Sequence, residues 1–208
     1  MKTKNLIVSA AVIAALCLTG CGSKKTEQTD MPETAAETAV APVTESGNAD
    51  RAGSVTNTIT VSSQEEYDAA QATADTLFTA LENGDAEAIE SMFSEYGRTH
   101  AANLKENIGR LLEFYPGADG GYECVGVTTE EKEDGKRLHV LELIFTVRNG
   151  NDTYKIETCI QMKNESEPEK EGVHLIQALT PEELKNGTFW KGRDAEPGVY
   201  VTNADIGA

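Results

Sequence analysis

Basic residues are scarce in this 208-residue chain. It has 18 Lys and Arg residues against 35 Asp and Glu residues, which gives a formal net charge of −17 at pH 7. Such a charge repels phosphate backbones and anionic lipid head groups, and no cluster of Lys or Arg interrupts the pattern. The composition therefore excludes nucleic-acid binding, and it offers no electrostatic help to membrane binding.

The chain also has little sequence that could span a bilayer. Its N-terminal apolar run, Leu6 to Leu18, is about 13 residues long, whereas a bilayer core needs roughly 20 helical residues. Two lysines precede the run, which is the layout of a secretory signal peptide. The segment ends in Leu18-Thr19-Gly20-Cys21, which is similar to the lipobox of bacterial lipoproteins, where the cysteine thiol receives a diacylglyceryl group and the chain is cut before it.

The lipobox resemblance implies a signal peptide over residues 1–20 and lipidation at Cys21. Removal of residues 1–20 takes away two basic residues and no acidic ones, so the net charge of the mature chain becomes −19. We expect an extracytoplasmic protein held on the outer face of the cell membrane by its acyl chains. The alternative is an ordinary signal peptide that contains Cys21 by chance.

Residues 21–62 have no periodic apolar face. They consist mostly of Thr, Ala, Glu, Ser and Gly, and cannot bury enough surface to offset the entropy lost on ordering. We predict a disordered linker there, with a reach of about 35 Å. Residues 63–208 then form one folded domain of about 145 residues, including a C-terminal tail.

Three amphipathic helices are predicted at the start of this domain. The first begins at a capping box, Ser63 with Glu66, and ends at Asn83-Gly84. Asp85 caps the second, and the third runs from Thr99 to Tyr115. The apolar residues of all three recur at intervals of three and four, which is the pattern of a helix with one buried face.

After the helices the apolar period changes to two, which predicts four strands. A two-residue hairpin loop at Asn149-Gly150 sets Phe145 opposite Tyr154 and His139 opposite Ile160. The last strand is predicted over residues 173–179, before a short helix.

The hairpin around Glu133-Asp134-Gly135 has two candidate loops. A two-residue loop and a three-residue loop bring opposite faces together. We favour the three-residue loop because it sets Val127 against Leu141 and keeps one face apolar.

A family resemblance supports this order of elements. The stretch from Ala74 to Phe93, with Leu81-Glu-Asn-Gly84-Asp85 between two helices, resembles the opening of the NTF2-like, or cystatin-like, α+β fold, in particular lipoproteins of Gram-positive bacteria. The resemblance continues through Glu113-Phe114-Tyr115 and Gly120-Gly121-Tyr122-Glu123. It implies three N-terminal helices packed on a curved four-stranded antiparallel sheet, often as a dimer, enclosing a pocket in enzymes and non-enzymes alike.

Few residues offer chemistry to such a pocket. Enzymes with this fold commonly place a His or Asp in the pocket as a general acid or base, so His139 with Tyr154 is the catalytic candidate. No His, Cys or Asp grouping has metal-ligand spacing, and no Gly-rich loop or nucleophile elbow is present, so we expect no metal and no cofactor. The predicted pocket residues are Phe78, Phe93, Leu112, His139, Leu141, Leu143, Tyr154 and Ile156.

Two cysteines remain in the folded domain, Cys124 and Cys159. They are predicted on strands separated by a third, hence nearly 10 Å apart, whereas a disulfide needs Cα atoms within about 7 Å. We predict two free thiols.

The outward sheet face is not fully polar. Leu138, Val140, Ile144 and Cys124 alternate with charges across it, and such an apolar patch usually marks a covered surface. The predicted cover is either the C-terminal tail, with Trp190 and Tyr200, or a second subunit.

These observations favour a membrane-tethered, non-catalytic domain that binds a small apolar ligand or an envelope protein. The alternative is an isomerase or dehydratase of the NTF2-like kind that uses His139 and Tyr154. A third interpretation is a structural module whose pocket is filled by its own side chains. An open pocket with His139 near a carboxylate would favour the enzyme, and a closed one the module.

Overall fold

The structure is a computed structural model that describes residues 43–46, 57–186 and 191–201. The predicted signal peptide, the lipidation site Cys21 and Trp190 lie outside the described residues. Among those described, no helix is both long enough and apolar enough to cross a membrane.

The described residues form seven strands and five α-helices, with one short 3₁₀ helix at Pro168–Lys170. The strands are β1 (Val43–Ser46), β2 (Thr58–Val61), β3 (Tyr122–Glu133), β4 (Lys136–Asn149), β5 (Asp152–Asn164), β6 (Gly172–Leu179) and β7 (Gly198–Tyr200). The helices are α1 (Gln64–Asn83), α2 (Ala86–Met92), α3 (Glu95–His100), α4 (Leu104–Phe114) and α5 (Pro181–Lys185).

All seven strands form one mixed sheet in the order β1 to β7. Strands β3 to β6 are the predicted antiparallel meander. β2 pairs parallel with β3 on one side, β7 pairs parallel with β6 on the other, and β1 pairs antiparallel with β2. The α+β class is confirmed, whereas the predicted count of four strands and three leading helices is wrong, since the described chain has seven strands and four helices before the meander.

Side-chain caps fix where the leading helices begin. Ser63 Oγ accepts a hydrogen bond from the amide of Glu66, and Asp85 Oδ1 accepts one from the amide of Ala88. Ser94 caps α3 in the same way. α1 ends at Gly84, whose φ of 67° is left-handed and costs glycine little.

The predicted third helix is two helices. α3 ends at His100, and α4 starts only at Leu104. Asn103, between them, has a left-handed φ of 53°, which a continuous right-handed helix cannot contain. The buried stripe of the second part, with Leu104 and Ile108, is nevertheless the one the apolar spacing predicts.

The β4–β5 hairpin is shifted by two residues from the predicted register. Phe145 lies opposite Ile156 rather than Tyr154, and the loop is Gly150-Asn151. Only Gly150 of these two residues has a positive φ, which is the pattern of a type II′ turn. The side-chain amide of Asn149 donates to carbonyl groups of the loop before β3, which holds Asn149 as the last residue of β4.

The β3–β4 hairpin has the two-residue loop, so the favoured three-residue loop is wrong. Asp134 and Gly135 both have positive φ, at 51° and 80°, as a type I′ turn requires. Val127 therefore lies opposite Glu142 and points outward. Gly126 faces inward, where Val61 Cγ1 lies only 2.5 Å from the position of an added Cβ, so the core side of β3 is closed there without a side chain.

Ordered structure begins upstream of residue 63. The segments 43–46 and 58–61, which fall inside the predicted disordered linker, are strands. β2 joins the sheet by pairing with β3, more than sixty positions further along, as Thr58 opposite Glu123. The segment Thr58-Ile59-Thr60-Val61 alternates polar and apolar residues, and its apolar residues are buried, so the strand signal is present in the sequence and the linker prediction missed it.

Candidate functional site

The side chains predicted to line a pocket form the hydrophobic core. The Phe78 ring stacks on that of Tyr122 with 4.5 Å between ring centroids and meets Phe145 edge-on at 5.3 Å. Leu112 and Tyr154 are half-buried against the same cluster. The buried members of the predicted set are Phe78, Phe93, His139, Leu141, Leu143 and Ile156. Mutual packing occupies the space among these residues.

His139 lies beside a carboxylate in a nearly solvent-free position. Its Nε2 is 3.5 Å from Glu66 Oε1, and the two side chains are 5% and 6% exposed. The distance is that of an ion pair, but the contact is not an aligned hydrogen bond, since Nε2 has no hydrogen-bond partner among the described residues. The other carboxylate oxygen of Glu66 accepts from the amide of Ser62 at 2.9 Å.

A neighbouring arginine determines where the His139 ring carries hydrogen when it is neutral. Arg137 Nη2 lies 3.2 Å from His139 Nδ1. Because a guanidinium only donates, Nδ1 must accept, and the ring hydrogen then lies on Nε2, facing Glu66. The contact between Glu66 and His139 links the start of α1 to β4. Because both side chains are buried, a substrate cannot reach the imidazole.

Tyr154 lies at the other end of the sheet from His139. Tyr154 pairs with Val147, eight positions along β4 from His139, which is about 27 Å at the rise of an extended strand. Its ring packs edge-on against Phe114, with centroids 5.9 Å apart. The two catalytic candidates are therefore not in one site.

The sequence analysis missed the contact between Glu66 and His139, because it assigned Glu66 a capping role alone. Glu66 lies four positions before Ala70 and eight before Ala74, on the buried stripe of α1. A carboxylate on an apolar stripe is a signal that it meets a buried partner.

The cysteine prediction is confirmed. Cys124 and Cys159 are free and buried. Cys124 lies in the main core and Cys159 in a smaller cluster on the opposite sheet face, and burial raises the pKa of each thiol to about 12. Both are protonated and inert at neutral pH.

Alkylation tests this arrangement directly. With iodoacetamide on the native chain, peptides containing Cys124 and Cys159 are expected to remain unmodified up to about pH 9. Both are expected to react fully in concentrated guanidinium chloride without reductant. Because the folded-state pKa lies above the unfolded value of 9.0, the stability contributed by the protonated thiols is complete below pH 9 and is lost as the pH rises toward 12. A pair that reacts only after reduction would contradict the strand order.

The C-terminal segment covers part of the outer sheet face, and it is one of the two covers that the sequence predicted for that face. Val140, Cys159 and Leu175 form a buried cluster there, against which Ala195 and Tyr200 pack. His174 Nε2 is 2.8 Å from the carbonyl oxygen of Ala195, and the amide of Lys191 donates to Gln177 Oε1 at 3.0 Å. Cys124, which the sequence placed on this face, lies in the core instead.

Glu157 is a second buried carboxylate, on the same outer face. It is 4% exposed, and its Oε2 has no hydrogen-bond partner within the part of the chain that the structure describes. Burial raises the pKa of this carboxyl, Lys155 opposes the increase and Glu142 adds to it. The alternation of apolar residues along β5 gave no indication that Glu157 is buried.

A cleft of about 590 Å³ lies between α4 and the C-terminal segment. Its walls carry both signs of charge, from Glu106 and Arg110 on α4 and from Lys191 and Glu196 opposite. Lys191 Nζ also lies 4.1 Å above the Tyr200 ring. Such a lining does not suit an apolar ligand, and none of the predicted pocket residues contributes to it. Across the described residues, no group of three or more His, Cys, Asp or Glu side chains is placed to hold a metal ion.

Comparison with known families finds a family match but no biochemical activity. Residues 76–181 match the family described as Domain of unknown function (DUF5104). The chain belongs to the DUF5104 family. The matched range begins within α1 and ends at the first residue of α5, so β1, β2, β7 and the C-terminal segment lie outside it. No curated protein matches the chain.

Proposed function

We propose that this DUF5104 chain is a membrane-anchored, extracytoplasmic lipoprotein whose NTF2-like domain binds an envelope protein through its surface and catalyses no reaction. The observation that carries the proposal is the packing of the predicted pocket residues against one another. Side chains occupy the space that an apolar ligand would need, which favours a protein partner over a small ligand.

The arrangement of polar groups also favours a binding module over an isomerase or dehydratase. A general acid or base must come within hydrogen-bond reach of its substrate, directly or through one water. His139 is buried against Glu66, and Tyr154 lies about 27 Å along the sheet. The enzyme hypothesis would need both residues in one accessible pocket.

Two further features support the proposal. Helices that precede an antiparallel meander agree with the NTF2-like resemblance of residues 74–93. The lipobox-like Leu18-Thr19-Gly20-Cys21 supports the membrane anchor, because acyl chains attach a protein whose own charge gives no attraction to an anionic membrane.

Mass spectrometry of the full chain, expressed in a bacterium and extracted from its membranes, tests both the membrane anchor and the choice of a protein partner over a small ligand. The denatured mass is expected to equal the chain from Cys21 onward plus a diacylglyceryl group. A Cys21→Ser control is expected to carry no lipid. Under native conditions the lipidated chain is expected to carry no further small molecule. An unmodified Cys21 would overturn the anchor, and a retained apolar ligand would overturn the choice of a protein partner.

A further inference from the structure

Part of the C-terminal segment, residues 191–196, crosses the outer sheet face as a strap without forming a helix or a strand. The strap lies over the buried cluster of Val140, Cys159 and Leu175, against which Ala195 packs. In the described part of the chain, none of its residues pairs with a strand of the sheet. A segment without ladder hydrogen bonds can open while the sheet beneath it stays folded.

Polar contacts attach the strap to the sheet at separate points. Its first amide donates to Gln177 Oε1 at 3.0 Å, and Arg193 forms an ion pair with Glu131 on β3. The carbonyl oxygen of Ala195 lies 2.8 Å from His174 Nε2. Among the side chains that make these contacts, His174 is of the kind that ordinarily changes its charge near neutral pH.

A β-bulge directs His174 toward the strap. Cys159 of β5 lies opposite Leu175, and the next residue, Ile160, lies opposite Val173, so His174 is an extra residue in β6. Val173 packs in the main core, whereas Leu175 belongs to the cluster on the outer face and His174 contacts the strap. Two successive side chains of β6 therefore point to the outer face.

The site of His174 fits a neutral imidazole and not a protonated one. A carbonyl oxygen only accepts, so Nε2 carries the hydrogen, and Nδ1 is the acceptor atom of the neutral ring. His174 is 6% exposed, and Nδ1 is buried without a hydrogen-bond partner among the described residues. Protonation would leave the bond to Ala195 in place. It would also add an N–H without an acceptor and a buried charge, which is unfavourable.

The charged and titratable groups around His174 do not replace it as the trigger. They are Arg193, Asp194 and Glu196 on the strap, Glu142 and Cys159 on the outer face, and Arg98 and His100 on α3. Of these kinds of side chain, only histidine ordinarily changes its charge between about pH 7.5 and pH 5.5. Burial raises the pKa of the Glu157 carboxyl on the same face, so its protonation favours the packed state and opposes opening.

We propose that the strap is an acid-responsive cover, which neutral His174 keeps closed and which protonation of His174 releases, uncovering Cys159 and the apolar cluster. In the open form water can reach both ring nitrogens, so this form binds the proton more readily. By linkage, a fall in pH then favours the open form. The inference depends neither on the lipid anchor nor on an envelope partner, so its failure leaves the proposed function in place.

The two cysteines report on the strap within one molecule. Cys159 lies beneath the strap, and Cys124 lies in the main core as an internal control. The probe is dithiodipyridine, which reacts with thiols in mildly acidic as well as neutral solution, and mass spectrometry of peptides measures its reaction with the full chain. Relative to a free cysteine peptide, the reaction rate of Cys159 is expected to rise at least about tenfold from about pH 7.5 to about pH 5.5. Cys124 is expected to stay protected at both values.

Replacement of His174 with glutamine separates the imidazole from the rest of the strap. In His174→Gln the side-chain amide can donate to the Ala195 carbonyl but takes up no proton in this range. Cys159 is therefore expected to stay protected at the acidic pH. The matched control is His100→Gln, which removes an exposed histidine from α3 and is expected to respond like the wild type. His139, the third histidine of the chain, faces Glu66 instead.

Amide hydrogen exchange on the wild-type chain gives a second test, which stays valid if His174→Gln does not fold. The amide of Lys191 bonds to Gln177 in the closed form, and it is expected to lose protection at the acidic pH after correction for the intrinsic rate. The amide of Leu143, in the middle of the meander, is expected to keep its protection.

Three results would overturn the proposal. The first is unchanged protection of Cys159 and of the Lys191 amide at the acidic pH. The second is a parallel rise in the reaction of Cys124, which would indicate general loosening of the fold. The third is an acid response that persists in His174→Gln, which would assign the response to another group.

Discussion

Replacement of Phe145 with alanine is expected to lower the free energy of unfolding by about 3–5 kcal/mol. The Phe145 ring is fully buried and meets the rings of Phe78 and Tyr122 edge-on, at 5.3 and 5.5 Å between centroids. Removing it leaves a cavity at the centre of the residues once predicted to line a pocket. Chemical denaturation of the full chain, followed by circular dichroism, measures the loss.

Val125→Thr is the matched control for Phe145→Ala. Val125 lies on the neighbouring strand and is half-exposed, and threonine keeps its β-branched shape, so the change is expected to stay within about 0.5 kcal/mol. A Phe145→Ala loss below about 1 kcal/mol would mean that the interior is loosely packed, and would restore the prediction of an internal binding pocket.

Replacement of Glu66 with alanine is expected to cost about 1–3 kcal/mol, because it leaves the buried Nε2 of His139 without the polar group that faces it. His139 would lose the carboxylate 3.5 Å from Nε2, and the amide of Ser62 would lose its acceptor. The exposed neighbour Glu65 provides the control, since Glu65→Ala removes the same charge from the same helix turn and is expected to change stability by less than about 0.5 kcal/mol.

A double replacement distinguishes a buried polar contact from simple loss of packing. Glu66→Leu combined with His139→Leu removes both polar groups and keeps much of the volume, and is expected to recover most of the loss. A double variant as unstable as Glu66→Ala would show that helix capping and packing, rather than the contact with His139, make Glu66 important. Thermal unfolding of the three variants side by side decides between these explanations.

The sequence predicted local periodicity well and non-local pairing poorly. Ala70, Ala74 and Leu77 lie on the buried face of α1 because side chains three and four positions apart share one side of a helix. The register of the β4–β5 hairpin depends on the bond from Asn149 to the loop before β3, more than thirty positions away. No local pattern contains that contact, and the predicted register was wrong by two residues.

In the candidate site, too, local features could be predicted from the sequence and long-range contacts could not. The free state of Cys124 and Cys159 followed from strand spacing alone, and it is confirmed. The β3–β4 register depended on the inward position of Gly126, which a search for apolar side chains reads as a gap. The contact between Glu66 and His139 joins residues more than seventy positions apart, and it became visible only when α1 was placed against β4.

The order of strands across the sheet also constrains how the domain is made. β7, at one margin, follows every other described strand and helix along the chain, while β2, on the other side of the meander, precedes every helix. β2 can pair with β3 only after four helices have been synthesised, and the backbone groups of β6 that bond to β7 stay unpaired until β7 has been synthesised. A ribosome-bound or truncated chain that ends before Gly198 therefore exposes the β6 margin and the cluster beneath Tyr200. Such unfinished chains should be the form of this protein most prone to aggregation and most readily degraded.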